Sequence, residues 1–529
     1  MRYARLEWVA GVLILALGAT WYPMPATGTE TAQPKKGGVL RVAIAGEPPS
    51  LDMHWTTVTI TYQTMWHVYE TLYTFDQIFN PIPLLAEGHR ITNGGRQYSI
   101  TLRKGVRFHN GKELTAADAV ASLQRWGRLA TVGKAVWKTV EAVTAPDPST
   151  IVIHLKEPLG SLLNFLAASN NGAAIHPKEV IDAAGDGQIK AFIGTGPFRL
   201  VEHKPDRHLR LARFKDYAAR TGPPDGVGGK RTAYVDEILF IPVPDVAVRL
   251  AGVEAGTYHY GQGIKADQYE RIVSLPDMEP RVFSPSGWVT AVLNHKQGLM
   301  TSKKIRQAFQ AALDMQPIMA AAAGHELFYR LNSALFPPEQ VLWHSTVGGQ
   351  GYYNQKDKEK ARRLLKEAGY AGQPVRWLTT REYEYMYKTA LVAKSQLEEV
   401  GFKIDLQVVD WATLVQRRNK PELFDVFSTA SPWGFDPALH PILQCDWPGW
   451  WCHEEKDRLL VPLARETDAR KRLGLIERIQ TIFYEDVGSI KFGDQFGLDV
   501  VRKELRGDFR SFPVFFFWNA WLETKGGRQ

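Results

Sequence analysis

Alternation of apolar and polar positions predicts strands in the first quarter of the chain. Segment 39–45 is an apolar run that ends at a Pro-Pro loop, and in 97–103 (QYSITLR) apolar residues occupy every second position. Asn-Gly at 110–111 predicts a tight turn with positive φ, and Thr-Ala-Ala-Asp at 115–118 predicts a capped helix. We therefore interpret this region as scaffold: a strand, a turn and a helix.

Apolar spacing in the middle of the chain changes between the strand period and the helix period. Residues 235–256 predict a strand, a break at two prolines and an amphipathic helix that ends at Gly256. At 305–313 the apolar positions follow helical spacing, and Pro317 disturbs the run. Residues 194–201 (GTGPFRLV) place two glycines and a proline before a strand, which predicts a hinge where the chain crosses between lobes.

The third quarter predicts the order β-α-β-α-β. Strand patterns occur at 374–380, 402–409 and 423–429, with one helix that ends at Gly401 and a short helix capped by Asp410. Right-handed crossovers make such strands parallel, so their carboxyl ends share one edge of the sheet, where open α/β folds bind ligands. Three loops are expected to converge on that edge: 380–385 (TREYEY), 410–411 (DW) and 431–437 (SPWGFDP).

These loops carry candidate ligand-binding residues. Trp433 offers a flat apolar surface and Asp436 an anion, a combination that suits an amphiphilic cation such as a peptide amino terminus. The alternatives are that Trp433 belongs to the core and that Asp436 caps the following turn. Arg381, with Tyr383 beside it, is a candidate partner for a ligand carboxylate, and an ordinary surface arginine is the alternative.

The loop after the first strand adds two candidates. His54 and Trp55 in LDMHWTT follow the strand at 39–45 and are predicted to face the ligand. The alternative for each is ordinary packing, since a single histidine or tryptophan more often lies in a core than at a ligand.

The amino terminus has the layout of a signal peptide. Arg2 and Arg5 precede an apolar run at 9–21, and small residues follow it. We predict a signal peptide at 1–26, with the cleavage site between 18 and 32. A membrane anchor is the alternative, but the run is shorter than the ~20 residues that span a bilayer. Neither cysteine lies near the cleavage region, so a mature periplasmic protein without a lipid anchor is expected.

Charge and cysteine content narrow the function. The formal net charge is +8, but charges of both signs are scattered as on a solvated surface, so a nucleic-acid partner is not expected. Cys445 and Cys452 can close a small disulfide loop in an oxidising compartment. Because His440 and His453 flank them, a zinc site is the alternative, although the paired short spacings of zinc ligands are missing. We expect no metal and no cofactor.

Three enzyme motifs are incomplete. GHELFY at 324–329 lacks the second histidine of a zinc protease helix, and GQGIKA at 261–266 does not follow the apolar strand that a dinucleotide loop requires. GVGGKRT at 226–232 lacks the spacing of a phosphate loop. We therefore expect no enzymatic activity, and a hydrolase whose residues are far apart in sequence stays the alternative.

Nine segments together resemble the extracellular solute-binding proteins of the dipeptide and oligopeptide family (family 5), which are the capture components of ABC importers. LRKGVRFHNGKELTAADAV at 102–120 is the most diagnostic of them. The segments cover nearly the whole mature chain in family order: 37–52, 68–76, 85–123, 194–217, 235–256, 303–314, 352–370, 396–414 and 424–437.

The resemblance implies an α/β protein with the type II periplasmic-binding-protein fold, in which two lobes with a hinge carry an extra α/β domain. Lobe II would comprise 294–490 and the extra domain 67–193. Lobe I would be assembled from three segments: 36–66, 194–293 and 491–529.

The resemblance also implies a function. The lobes would close on a peptide or peptide-like ligand. The protein would then deliver the ligand to the membrane subunits of an ABC permease, which cytoplasmic ATPases drive. We expect the protein to be a monomer. Asp436 matches the acidic residue that meets the ligand amino terminus in the family. Its loop is shorter and more aromatic than in typical dipeptide binders, so opine, glutathione, haem and nickel binders on the same scaffold are alternatives. A periplasmic hydrolase and a sensory adapter are the rival classes.

Overall fold

The computed structural model describes residues 33–432, 436–507 and 515–523. Among the described residues, no helix is both long enough and apolar enough to cross a membrane. The strands in chain order are β1 (Val39–Ile44), β2 (Tyr73–Phe75), β3 (Pro81–Pro83), β4 (Ala86–Thr92), β5 (Gln97–Leu102), β6 (Val140–Asp147), β7 (Thr150–Leu155), β8 (Phe198–Lys204), β9 (His208–Arg213), β10 (Pro224–Asp225), β11 (Gly228–Gly229), β12 (Glu237–Pro242), β13 (Tyr260–Ile264), β14 (Met278–Leu293), β15 (Tyr329–Arg330), β16 (Pro374–Thr379), β17 (Lys403–Val408), β18 (Val426–Pro432), β19 (Ile490–Arg502), β20 (Leu505–Gly507) and β21 (Ala520–Leu522). The helices are α1 (Thr59–Met65), α2 (Ala116–Leu129), α3 (Thr131–Trp137), α4 (Leu162–Ala167), α5 (Lys178–Ala184), α6 (Val246–Glu254), α7 (Tyr269–Ser274), α8 (Lys303–Ala312), α9 (Met315–Ala323), α10 (Lys358–Glu367), α11 (Glu384–Glu399), α12 (Trp411–Arg417), α13 (Glu454–Arg465) and α14 (Ala469–Asp486).

The main sheet joins strands from both ends of the chain. Its strand order is β17-β16-β18-β14-β19-β13-β1-β12-β9-β8, and β15 also pairs with β19. One group of parallel strands is β1 with β12 and β13, and a second group is β16 with β17 and β18. We call these the N-terminal and the C-terminal strand group. The long antiparallel strands β14 and β19 lie between them.

The strands β14 and β19 carry the chain from one group to the other. Their pairing shifts register between Phe283 and Gly287. On one side of this shift β19 also pairs with β13, and on the other side β14 also pairs with β18. A Cβ atom on Gly497 would lie 1.7 Å from the Phe283 ring, so glycine lets the ring lie directly on the strand. We call residues 283–287 and 495–498 the crossing.

A separate small sheet has the order β4-β5-β7-β6. Beside it, the backbone N–H of Thr115 donates to Asp118 Oδ2 at 2.9 Å, which completes the capping box at the start of α2. Gly111 has a φ of 85° in the predicted turn, which an isolated bridge between Arg107 and Glu113 closes. The predicted strand, turn and capped helix are therefore confirmed.

The predicted hinge segment packs against the chain that enters the small sheet. The backbone N–H of Gly196 donates to Val68 O at 2.9 Å, and that of Phe198 donates to His67 O at 3.0 Å. A Cβ atom on Gly194 would lie 2.0 Å from Val68 O, so the close approach requires glycine. One apolar core continues from β1 to the small sheet beside these connections. The hinge role and the predicted domain boundaries stay predictions.

The predicted β-α-β-α-β order in the third quarter is confirmed by β16, α11, β17, α12 and β18. The three strands are parallel, as expected. The third strand begins at Val426, three residues later than predicted, because residues Pro421–Leu423 form a short turn of helix.

The apolar run at 305–313 forms α8, and the helix ends at Ala312. Asp314 then caps α9 by accepting a hydrogen bond from the Gln316 N–H at 3.1 Å. Pro317 therefore lies in the first turn of a new helix, where its missing N–H leaves no intrahelical bond unmade.

Candidate functional site

Both groups of parallel strands end at the crossing. Ile264 at the end of β13 pairs with Leu498, and Pro432 at the end of β18 pairs with Gly287. Since parallel neighbours share one direction, β1 and β12 end at the same edge as β13, and β16 and β17 end at the same edge as β18. Open α/β sheets bind ligands beyond the carboxyl ends of their strands. Loops from both halves of the sheet can therefore contact one ligand at the crossing.

Two of the three predicted loops meet at the carboxyl edge of the C-terminal strand group. The Tyr383 ring lies 4.9 Å from the Trp411 ring in an edge-to-face contact, and Glu382 accepts a hydrogen bond of 3.1 Å from the Trp411 N–H. The Arg381 guanidinium lies 4.7 Å from the centre of the Tyr387 ring and donates to its hydroxyl at 3.2 Å. Arg381 and Tyr383 are both exposed, so a ligand can reach them.

The third loop carries Trp433 and Asp436. Trp433 lies outside the described residues. Asp436 is buried and caps the short helix that follows it, since its carboxylate accepts from the Ala438 N–H at 3.0 Å. The same carboxylate accepts from the Arg472 guanidinium at 2.7 and 2.8 Å and from Asn164 Nδ2 at 3.4 Å. Burial raises the pKa of Asp436, and the charge of Arg472 opposes this rise. Asp436 thus caps a turn and already has a cationic partner.

The loop after β1 places its two predicted site residues in different environments. Trp55 is 46% exposed, whereas His54 is fully buried with its ring 5.1 Å from the His176 ring. Burial lowers the pKa of His54 to about 4, although the charge of Asp52 opposes this shift. The Asp52 carboxylate accepts hydrogen bonds of 2.6 and 3.1 Å from the buried Arg125 guanidinium. This ion pair anchors the loop and leaves Trp55 at the surface.

A cavity of about 730 Å³ lies between the part of the chain that contains the small sheet and the segment 438–465. This volume falls within the range of small-molecule sites. Its charged lining residues are Glu157, Asp446, Asp457 and Arg465. Most of the wall is apolar, with side chains from both parts of the chain that include Val136, Leu159, Phe165, Leu439, Leu460 and Val461.

Direct contacts join the two sides of this cavity. The backbone N–H of Gly160 donates to Ala464 O at 2.9 Å, and Glu157 forms an ion pair with Arg465. A Cβ atom on Gly160 would lie 1.8 Å from Glu466 O, so the two segments touch with no room for a side chain. These residues cannot be predicted from the sequence, because apolar residues on separate helices carry no local signal of a shared cavity.

Cys445 and Cys452 form a disulfide with their Cα atoms 4.5 Å apart, which confirms the predicted bond against the zinc alternative. Trp447 within the disulfide loop packs its ring 5.8 Å from the Phe427 ring of β18. Cys445 itself lines the cavity. In the described part of the chain, no group of three or more His, Cys, Asp or Glu residues is placed to hold a metal ion.

A charged network that was not predicted from the sequence lies beside the crossing. Arg330 donates to Asp494 at 2.9 Å and to Glu339 at 2.9 and 3.0 Å. Asp494 is fully buried and also pairs with Lys491 at 2.8 Å. Burial lowers the pKa of Arg330, but the carboxylates of Glu339 and Asp494 raise it by more, so the net shift is upward. The Arg330 guanidinium lies 5.3 Å from the centre of the Phe496 ring. Arg330 and Asp494 are 164 positions apart, so no local spacing connects them.

Comparisons with known proteins agree with this geometry. The family described as "Bacterial extracellular solute-binding proteins, family 5 Middle" matches residues 80–447. A probable peptide ABC transporter periplasmic-binding protein, y4tO of Sinorhizobium fredii (strain NBRC 101917 / NGR234), is 27% identical over 468 residues, which cover 85% of this chain and 88% of that protein.

Two solved structures share the fold. The ABC transporter substrate-binding protein CtaP from Listeria monocytogenes has a TM-score of 0.81 at 21% identity, and the match covers 92% of this chain and 100% of that chain. The oligopeptide-binding protein AppA from Bacillus subtilis, solved in complex with a nonapeptide, has a TM-score of 0.72 at 22% identity, with 93% of this chain and 100% of that chain covered.

Proposed function

Because this chain belongs to the bacterial extracellular solute-binding proteins of family 5, we propose that it captures a peptide or peptide-like molecule and delivers it to the permease of an ABC importer. It has the α/β type II periplasmic-binding-protein fold, with two lobes, a hinge and an extra α/β domain. We propose that the N-terminal strand group belongs to lobe I, the C-terminal strand group to lobe II and the small sheet to the extra domain. The periplasm is the proposed location, and the signal peptide proposed at 1–26 lies outside the described residues.

One observation carries the proposal: the carboxyl edges of both parallel strand groups end at the crossing. A ligand there contacts loops of both lobes, and β14 and β19 run from one strand group to the other. Contact with both lobes gives the ligand a higher affinity for the closed state than for the open state, and that difference drives closure. To change a 1:99 population of closed protein to 99:1 requires about 5.5 kcal/mol of differential binding. No chemical step is needed, so the ligand is released unchanged.

We propose roles for the predicted contacts. Arg381 and Tyr383 are exposed on one edge, and a guanidinium beside an aromatic ring suits a ligand carboxylate next to an apolar group. Trp55 supplies apolar surface from the opposite lobe. Asp436 can bind a ligand amine only if its carboxylate accepts hydrogen bonds from the amine and from the Arg472 guanidinium at the same time. Contacts of Trp433 and the buried His54 with the ligand also stay proposals.

The occupied carboxylate of Asp436 favours a second candidate. Since Arg472 already neutralises it, a ligand that lacks a free amino terminus loses no ion pair at this position. An opine, a haem or a nickel complex is therefore the alternative ligand class on the same scaffold. Glutathione, which keeps a free α-amino group, is an alternative on the resemblance alone.

Calorimetry on the purified protein tests the proposal, with di- to pentapeptides, glutathione and an opine as ligands. We expect micromolar or tighter binding of at least one peptide, a smaller radius of gyration in X-ray scattering, and unchanged ligand by mass spectrometry. Arg381→Gln should weaken binding by at least about tenfold because a charge-assisted contact is lost. Arg363→Gln on α10 is the matched control, because its side chain is 65% exposed and pairs only weakly with Glu367. Binding of no peptide, or chemical conversion of a bound peptide, would contradict the proposal.

A further inference from the structure

Arg418 follows helix α12 and is surrounded by aromatic rings. Its guanidinium carbon lies 5.8 Å from the centre of the Trp411 ring, 5.8 Å from that of Phe427 and 5.9 Å from that of Trp447. The three rings come from three different elements: the start of α12, strand β18 and the disulfide loop. Cation–π contacts act within about 6 Å of a ring centre, so all three rings attract this guanidinium and help to hold the side chain in one position.

The edge of this guanidinium has no protein partner among the described residues. The Nε atom is buried and makes no hydrogen bond, whereas the Nη atoms of this half-buried side chain are not among the buried unpartnered atoms. No described carboxylate lies within 4.0 Å of the Arg418 side chain. Arg125 and Arg472 also have an unpartnered Nε, but Arg125 binds a carboxylate through both Nη atoms and Arg472 binds one through Nη2. Burial lowers the pKa of Arg418, and no neighbouring anion offsets this cost.

The geometry fits an anion better than a purely structural role. A guanidinium has five N–H donors at its edge, and ring faces cannot accept all of them in the way that oxygen atoms do. The planar edge matches two oxygens of a carboxylate or phosphate, so a bound oxyanion would satisfy the donors and the charge together. The apolar rings would lower the local dielectric constant beside the guanidinium and so strengthen the ion pair.

We propose that Arg418 binds a small oxyanion, with Trp411, Phe427 and Trp447 as the walls of the site. The site adjoins the predicted loop cluster, because the Trp411 ring that contacts Arg418 also contacts Tyr383. A carboxylate of the captured solute and a free inorganic oxyanion share this chemistry. The site itself does not depend on the proposed function, since an inorganic anion can be titrated without a peptide.

Fluorine NMR of protein labelled with 5-fluorotryptophan tests the site. Trp411→Phe, Trp447→Phe and Trp126→Phe variants assign three signals, and the titrants are inorganic phosphate and N-acetylglycine, each against sodium chloride of equal ionic strength. The signals of Trp411 and Trp447 should shift saturably with at least one oxyanion, while the signal of Trp126 in the small-sheet core stays unchanged.

Variants of Arg418 decide between a site and a structural arginine. Arg418→Gln should weaken the saturable binding at least tenfold, Arg418→Lys should weaken it less because the charge remains, and the control Arg363→Gln should bind like the wild type. If a peptide ligand has been found, amidation of its carboxyl terminus distinguishes the sources. If amidation weakens binding to the wild type, and Arg418→Gln does not weaken binding of the amide any further, the anion is the carboxylate of the solute. If amidation leaves the affinity unchanged, the anion is a free oxyanion. Shifts that do not saturate, or equal affinity in Arg418→Gln, would overturn the proposal.

Discussion

Replacement of Gly160 by alanine should hold the two sides of the cavity apart. The added methyl group would lie 1.8 Å from Glu466 O and 2.5 Å from its carbonyl carbon. Cβ atoms essentially never come within 3.0 Å of a heavy atom outside their own residue and its two chain neighbours, so this distance must increase from 1.8 Å to at least 3.0 Å. Both obstructing atoms belong to the backbone at the end of α13, so no rotation of a flexible side chain can relieve the clash.

The energetic cost follows from the contacts that separate. The hydrogen bond from Gly160 N–H to Ala464 O, at 2.9 Å, is worth about 1 kcal/mol. The ion pair between Glu157 and Arg465 adds roughly 0–1 kcal/mol, because both side chains are about half exposed. We propose that these contacts form only when the lobes close. Loss of both should then remove about 1–2 kcal/mol from the closed state, which corresponds to a factor of roughly 5–30 in its population. Affinity for a ligand that requires closure should decrease by the same factor.

Calorimetry with an established ligand and X-ray scattering of the free and bound protein measure this effect. Gly88→Ala is the matched control in the small sheet, since a Cβ atom there meets no heavy atom within 4 Å. Gly474→Ala on α14 is a second control for the same reason. We expect both controls to bind like the wild type and Gly160→Ala to show a larger radius of gyration with ligand.

Two results would refute the reasoning. If Gly160→Ala binds as tightly as the wild type and gives the same scattering profile, the contact does not contribute to closure. If Gly160→Ala lowers the free energy of unfolding by as much as it lowers the binding free energy, the contact stabilises the fold as a whole and not the closed state.

Three further predictions follow from the structure. The pKa of buried His54 is about 4 and that of an unfolded histidine is near 6.5, so between these values the unfolded state binds a proton that the folded state does not. The free energy of unfolding should therefore fall as pH decreases from 6.5 to about 4. His54→Phe should reduce the slope of the free energy of unfolding against pH, measured in urea, by up to about 1.4 kcal/mol per pH unit, and an unchanged slope would contradict this. Reduction of the bond between Cys445 and Cys452 should lower the free energy of unfolding by about 2–3 kcal/mol, as expected for so short a loop, and equal stability with and without reductant would argue against it. Gly497→Ala should weaken ligand binding by displacing the Phe283 ring at the crossing, and Phe283→Ala should restore binding in the double variant; no restoration would show that the ring is not the obstacle.

Much of the fold could be predicted from the sequence because its signals are local. The period of apolar residues predicts strands at 374–380 and 402–409 with a helix between them, and the structure has these strands at 374–379 and 403–408. The spacing of Thr115 and Asp118 predicts a cap that the helix then uses, and the short distance between the only two cysteines predicts their bond. Parallel strands in turn predict the edge on which the loops after β16 and β17 meet.

The candidate site depended on contacts between distant parts of the chain. The sequence around Asp436 is the same whether its carboxylate contacts solvent, a ligand or Arg472, so the partner cannot be predicted from it. Packing of separate segments brings the Arg472 guanidinium to this carboxylate. His54 and Trp55 are adjacent in sequence, yet one is buried and the other exposed. Local backbone preferences and the period of apolar residues therefore predict these strands and helices, their order and the edge where the loops gather. Only the folded chain shows which charges are neutralised, which rings surround Arg418 and which surfaces enclose the cavity, because those properties arise when separate segments fold against each other.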